Sequence, residues 1–411
     1  MDLKLYLRLS VMMFLQYILF AVWFVPLAAY LGKLEMSGNQ MAWILSSMAL
    51  GCLASPIIGM IADRHFASQK VLATLNLLCA VLLFFAAQQT ALTVLFVMLL
   101  LAMFCYMPTW SLTSAIAMAN SPSEKFPQIR VFGSIGWVAS AIFSLVAVRV
   151  FKIENFETSK MPMLCGAATS LVAAVLALTL PHMPPPAKGQ KASIVDALGL
   201  RAIVLMKNFN FAVFIVIFFL AMTPFATYFS FGSAFFNDQG YSNITARMNL
   251  GQLGEIFFMI LIPVAIARIG VKWSICIGLV MLVVRYAAFL VGGAFHQEWL
   301  YYVAILAHGL IFGFFFVGGQ IYIDKKASKE IRAQAQGFFF LITMGLGYLI
   351  GNFVNGKLME TYTVNDTINW STMWTVITII SVVLFVVFLL FFRDDTRKEG
   401  TGEETPARAT A

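Results

Sequence analysis

The sequence predicts an all-α integral membrane protein with twelve transmembrane helices in two six-helix halves. Three observations carry that prediction. Apolar runs of about 20 residues, the length that crosses a bilayer, recur along the whole chain. Only 11% of its 411 residues are charged and 61% are hydrophobic, whereas a soluble domain has roughly a quarter charged. The longest polar connection, 182–208, falls after the sixth run and carries Pro184, Pro185 and Pro186.

Taken in order, the runs place spans at about 7–31, 38–62, 70–89, 92–118, 128–151 and 160–181. The first begins soon after Lys4, is long and lacks a small-residue cleavage site, so it reads as a span and not a removable signal. These six form an N-terminal bundle, 1–181. The linker 182–208 follows, and its stretch 194–207 is mildly amphipathic. A C-terminal bundle, 209–395, holds spans at about 209–236, 244–267, 271–294, 298–323, 332–356 and 370–392. The charged, small-residue stretch 396–411 reads as a disordered tail.

Lysine and arginine fix the expected orientation. Twenty lie on the side of the termini and linker, six on the other side, and Arg285 falls within the ninth span. The positive-inside rule then puts both termini in the cytoplasm of a protein in the cell inner membrane. The net charge of +8 is accordingly a topology signal, and no nucleic-acid partner is expected. Cys52, Cys79, Cys105, Cys165 and Cys276 all sit in apolar runs without C-x-x-C spacing. They read as buried small hydrophobes, and neither metal nor cofactor is expected. No Ser/His/Asp set or phosphate-cradling glycine loop suggests an enzyme.

Polar residues inside spans are costly and therefore informative. Arg130 opens the fifth span, and Trp137 follows it by seven residues, two turns on and nearly the same face. Gly133 and Ser134 lie between them, so these residues are expected to line a polar cavity. In the eighth span Asn249, Gln252 and Glu255 form a stripe at steps of three. Glu255 reads either as a structural carboxylate tied to an arginine or as a proton acceptor, and the second reading is preferred. Arg285 is its nearest expected partner, with Arg130 the other.

Gln16 and Trp23 repeat the seven-residue spacing in the first span. A lone glutamine also commonly bonds a neighbouring helix. Tyr106, Pro108, Thr109 and Ser111 mark a hinge or a local kink in the fourth span. Thr227 and Tyr228 belong to a polar patch read as cavity lining. His308 reads as a histidine bonded to a neighbouring helix more readily than as a proton shuttle. Gly345, Gly347 and Gly351 suggest close helix packing. The run Gly59-Met60-Ile61-Ala62-Asp63-Arg64 at the end of the second span reads as a conformational latch.

That G-x-x-x-D-R turn and the twelve spans resemble the major facilitator superfamily. More specifically, Leu15-Gln16, Trp23, Tyr106-Met107-Pro108-Thr109, Phe126-Pro127-x-Ile129-Arg130 with Gly133 and Gly136, Gln252-x-x-Glu255, Arg285 and Ile331-Arg332-Ala333-x-Ala335-Gln336-Gly337 resemble the nucleoside:proton symporter family. The resemblance implies a proton-coupled importer, with Arg130, Gln252 and Glu255 as binding or coupling residues and Ser134 and Trp137 lining the pocket. Two segments depart from the family pattern. Amides expected in the seventh span are replaced by Phe225-Ala226-Thr227-Tyr228-Phe229, and an aspartate expected in the tenth by Gly313-Phe314-Phe315-Phe316. Arg130-x-x-Gly133-x-x-Gly136-Trp137 is also similar to the fifth-span motif of the lactose permease family, where arginine and tryptophan bind a sugar.

The expected solute is a nucleoside first and a sugar or sugar derivative second, carried with protons through the lipid bilayer by a monomer. An exporter of drugs or metabolites would use the same fold, but with a more apolar cavity.

Overall fold

The computed structural model describes residues 1–122, 125–185, 189, 193–259, 261–328 and 331–395, leaving out the side chains of Ala62, Asp63, Met259, Pro263 and Ala333. The stretch 396–411, expected to be a disordered tail, lies outside the described residues. Among the described residues ten helices are long and apolar enough to cross a membrane, and Met161–Ala177 is a shorter apolar helix. An interrupted eighth span completes the set of twelve.

The first span runs Leu3–Phe24 and Leu27–Lys33, interrupted at Pro26, which cannot supply the backbone N–H a continuous helix needs. Gly38–Leu45, opened by a capping box between Ser37 and Gln40, and Ser47–His65 form the second. Ser68–Ala86 and Leu92–Ala119 follow. The fifth span is Phe126–Ala139 with Ala141–Arg149, and Met161–Ala177 is the sixth.

In the linker, Ile194–Ala197 and a 3₁₀ segment, Leu200–Lys207, pack on the start of the eleventh span. Gln334 donates to Asp196 there, so this stretch is tied to the second bundle.

The seventh span runs Phe209–Asp238. The eighth is built from Ile244–Met248 and Leu250–Met259. It extends beyond the expected 267, because the helix Ile262–Ala294 breaks only at Gly270, where φ is 83° and ψ 171°. Glycine adopts that backbone without the steric cost other residues meet. The remainder of that helix is the ninth span. Glu298–Lys326 is the tenth, Arg332–Phe340 to Tyr348–Thr361 the eleventh, and Trp370–Phe391 the twelfth. A short hairpin pairs Thr363–Val364 with Thr367–Ile368.

Three spans of the second half widen into π-helical turns, at Thr227–Phe231, Ile311–Val317 and Leu341–Gly347. Such turns re-aim side chains and are frequent at functional sites.

Among the described residues, hydrogen bonds between the halves lie towards the end opposite the termini. Ala29 N–H donates to Ser233 Oγ at 3.3 Å, and Asn39 bonds Glu360. Glu157, 6% exposed, accepts from the Ile244 and Thr245 amides at 2.6 and 2.7 Å. Asn249 donates to the Trp137 carbonyl at 3.0 Å and to Ser140 Oγ at 2.9 Å. At the terminus end, a Cβ added at Gly59 or Gly337 would meet nothing within 4 Å. The halves are thus latched at one end.

Candidate functional site

A narrow crevice between the halves is lined by Phe24, Val25, Trp137, Tyr228, Phe229, Met248, Asn249, Gln252 and His308. The first and fifth spans build one wall. At Gly136 an added Cβ would overlap the Phe14 carbonyl, and at Gly133 it would sit 2.8 Å from the Tyr17 ring. Those two hydrogens let the spans touch, which brings the Arg130 guanidinium over the Tyr17 ring at 4.7 Å. Tyr17 stacks in turn on Trp110, with ring centres 5.3 Å apart, and Trp110 donates to Tyr106. Arg130, Ser134 and Trp137 are all half-buried. Trp137 meets Phe20 on its own side and Phe229 across the crevice.

The opposite wall comes from the seventh, eighth and tenth spans. A Cβ at Gly309 would overlap the Gly254 backbone, and one at Gly251 would lie 2.9 Å from His308 Cβ. This small-residue contact carries His308 Nε2 to 3.6 Å from Glu255 Oε2. Gln252 donates to the same carboxylate oxygen. Glu255 is 5% and His308 2% exposed. The imidazole is held between Tyr228 and Phe229, at ring separations of 6.1 and 5.1 Å.

Several expected site residues face elsewhere. Gln16 is fully buried; its amide donates to Asn76 at 3.1 Å and accepts from Thr109 at 2.7 Å. Trp23 is buried with Phe20 and Phe24, and Tyr106 donates to the Gln16 carbonyl. Thr227 bonds Thr223 O and Asn355 Oδ1. All four pack within one half in this conformation and are not among the residues that line the crevice. Tyr228 does line the crevice.

Arg285 is likewise not the ion partner of Glu255. Its guanidinium covers the Tyr228 ring at 4.2 Å and Nε donates to Ala304 O at 3.1 Å. Of the expected latch, Arg64 donates to Met60 O at 2.8 Å, and the Asp63 side chain lies outside the described residues. Gly345 faces Leu53 of the other half, while Gly347 and Gly351 meet Met222. In the phenylalanine cluster Phe315 stacks on Phe218 inside the bundle, whereas Phe312 and Phe316 stack on each other beside His308.

Sequence reasoning missed Tyr17 and Trp110. The stripe Tyr17, Phe20, Phe24, at steps of three and four, was the available signal.

Two helical bundles latched at one end, with a crevice between broken spans lined by aromatic and apolar side chains and by Asn249, Gln252 and His308, define a secondary transporter of the alternating-access kind. Residues 3–397 match the nucleoside H+ symporter family, and the chain belongs to it. YegT of Escherichia coli (strain K12) is 38% identical over 398 residues, covering 94% of this chain and 93% of its own. Nucleoside permease NupG of the same organism is 30% identical, covering 98% and 99%. The crystal structure of a NupG point variant aligns with a TM-score of 0.88, over 95% of this chain and 100% of that one. A D-xylose-proton symporter shares the fold at 11% identity, with a TM-score of 0.72 over 95% and 98%. The chain is a transporter of the major facilitator fold and not an enzyme.

Proposed function

We propose that this chain imports nucleosides with protons across the inner membrane, as a monomer with both termini in the cytoplasm. One observation carries the reading. Trp137, on the wall that also carries the Arg130–Tyr17 stack, lines a crevice opposite Gln252 and His308, the latter beside the buried Glu255 carboxylate, and the crevice is latched at its far end. In this orientation the latched end is the external one, so the structure is inward-facing.

The cycle starts outward-open, with a proton loading the Glu255 region and the nucleoside entering against Trp137, Arg130 and Gln252. Aromatic faces stack a planar base, and the guanidinium and amide offer donors to ring nitrogens and ribose hydroxyls. The halves then rock, making the Glu157, Ala29 and Asn39 contacts behind the solute, and solute and proton leave on the cytoplasmic side. A membrane potential contributes about 2.3 kcal/mol per charge per 100 mV. The Gly59–Arg64 turn is assigned to a latch at the cytoplasmic end.

A sugar remains a second reading because of a specific feature of the tenth span. Gly313, where the family pattern has an aspartate, faces Ile262 at 2.8 Å from an added Cβ. A site that loses hydrogen-bonding groups changes its substrate discrimination steeply. A thermal-shift screen against nucleosides, free nucleobases, and mono- and disaccharides separates the two, since a bound solute raises apparent stability. Nucleosides alone are expected to stabilise the protein, and stabilisation by sugars alone overturns the nucleoside reading.

A further inference from the structure

His308 is buried, lines the crevice and has no hydrogen-bond partner at either ring nitrogen. A buried polar group left unpaired is costly and asks for a reason. Three aromatic rings, Tyr228, Phe229 and Phe312, fix the plane of the imidazole without offering it a conventional hydrogen bond. Its close polar neighbour is Glu255 Oε2 at 3.6 Å, within ion-pair range and beyond hydrogen-bond range. That same oxygen receives the Gln252 amide.

We propose that His308 and Glu255 form one proton site, and that Gln252 is exchanged between this site and the solute. The proposal rests on the symport reading above. With the site empty, Glu255 is ionised, His308 neutral, and the Gln252 amide satisfies the carboxylate. One proton from external water then binds His308 Nε2, and the imidazolium closes roughly 0.7 Å onto Oε2 to a charge-assisted bond near 2.9 Å. The amide bond to the ionised carboxylate is charge-assisted too, but the imidazolium brings a full positive charge that the neutral amide lacks, so it displaces the amide from Oε2. Gln252, half-buried on the crevice wall, is freed to bond the solute. On the cytoplasmic side the proton returns to water, Gln252 recloses on Glu255, and the solute loses its amide contact. Because linkage is reciprocal, solute binding favours protonation by the same factor.

Charged and titratable groups of several packed spans surround this pair. Arg285 of the ninth span acts on His308, with Tyr228 of the seventh between them. Tyr17 of the first span acts with both Glu255 and Arg130 of the fifth.

The test uses the full-length protein in proteoliposomes with radiolabelled uridine and adenosine. A one-unit inward pH gradient supports about tenfold accumulation at one proton per solute. His308→Gln is expected to bring accumulation close to unity and to flatten the pH dependence of nucleoside affinity. A His308→Gln protein that accumulates and titrates like the wild type overturns the proposal alone. A wild type that binds nucleoside but ignores the gradient overturns the symport reading, and the proton site with it.

A second measurement leaves His308 in place. With His65, His182 and His296 replaced by Gln, ¹⁵N-histidine NMR reports one imidazole. Nucleoside added at constant pH is expected to shift it from neutral to cationic, and a ring that stays neutral overturns the proposal.

Discussion

In the N-terminal half the buried amides of Gln16 and Asn76 bond each other and Thr109, and Ser170 closes the set on the Asn76 carbonyl. Across the crevice two buried ionisable groups are left open. Both nitrogens of His308 and both terminal nitrogens of Arg285 lack hydrogen-bond partners, and the Asn352 amide of the eleventh span lacks them too. A satisfied network fixes one arrangement, whereas an unsatisfied one has something to gain in a second arrangement. On the proposal above, the Gln16–Asn76–Thr109 network holds the wall that presents Arg130 and its aromatic stack, and the opposite wall is the one that changes with protonation.

The strongest way to sharpen this contrast is Arg130→Ala. Bonds to charged groups are worth about 1.5–3 kcal/mol, so nucleoside affinity measured by equilibrium binding should fall roughly tenfold to a hundredfold. Its pH dependence should survive, because the proton site lies on the other wall. Loss of the pH dependence as well would break the division of labour.

Gln16→Leu tests that network directly. Leaving the buried Asn76 side-chain oxygen without its donor should cost about 1–3 kcal/mol of stability, read as a lower melting temperature, with little change in the pH profile of uptake. A normal melting temperature with altered coupling would place Gln16 in the site after all.

Glu157→Gln is the mildest of the three. It weakens two charge-assisted bonds that tie the loop after the fifth span to the start of the eighth. Losing about 1.4 kcal/mol would move the inward–outward equilibrium tenfold, visible as greater accessibility of a cysteine introduced at the far end. Unchanged accessibility would mean that the other far-end contacts suffice.

Much of this was readable without coordinates. The twelve spans follow from length and hydropathy, since only a helix with all its backbone bonds made internally crosses a bilayer in this way. The seven-residue step from Arg130 to Trp137 does put both on one half-buried face. The identical step from Gln16 to Trp23 points into the bundle instead. Lipid and bundle interior are both apolar, so hydrophobic patterning does not distinguish a span's inner face from its crevice face. Pairing across spans was equally hidden. Position along the chain points from Glu255 to Arg285 or Arg130, whereas its close neighbour, His308, is set by the glycine contact of Gly251 and Gly254 with the tenth span.

The most direct test is nucleoside accumulation in proteoliposomes under an imposed inward pH gradient of one unit, comparing wild type with Glu255→Gln. The account predicts about tenfold accumulation for the wild type, the equivalent of one proton per solute, and none above equilibration for the variant. A Glu255→Gln protein that concentrates nucleoside as the wild type does would contradict it, and the proton would have to enter by another route.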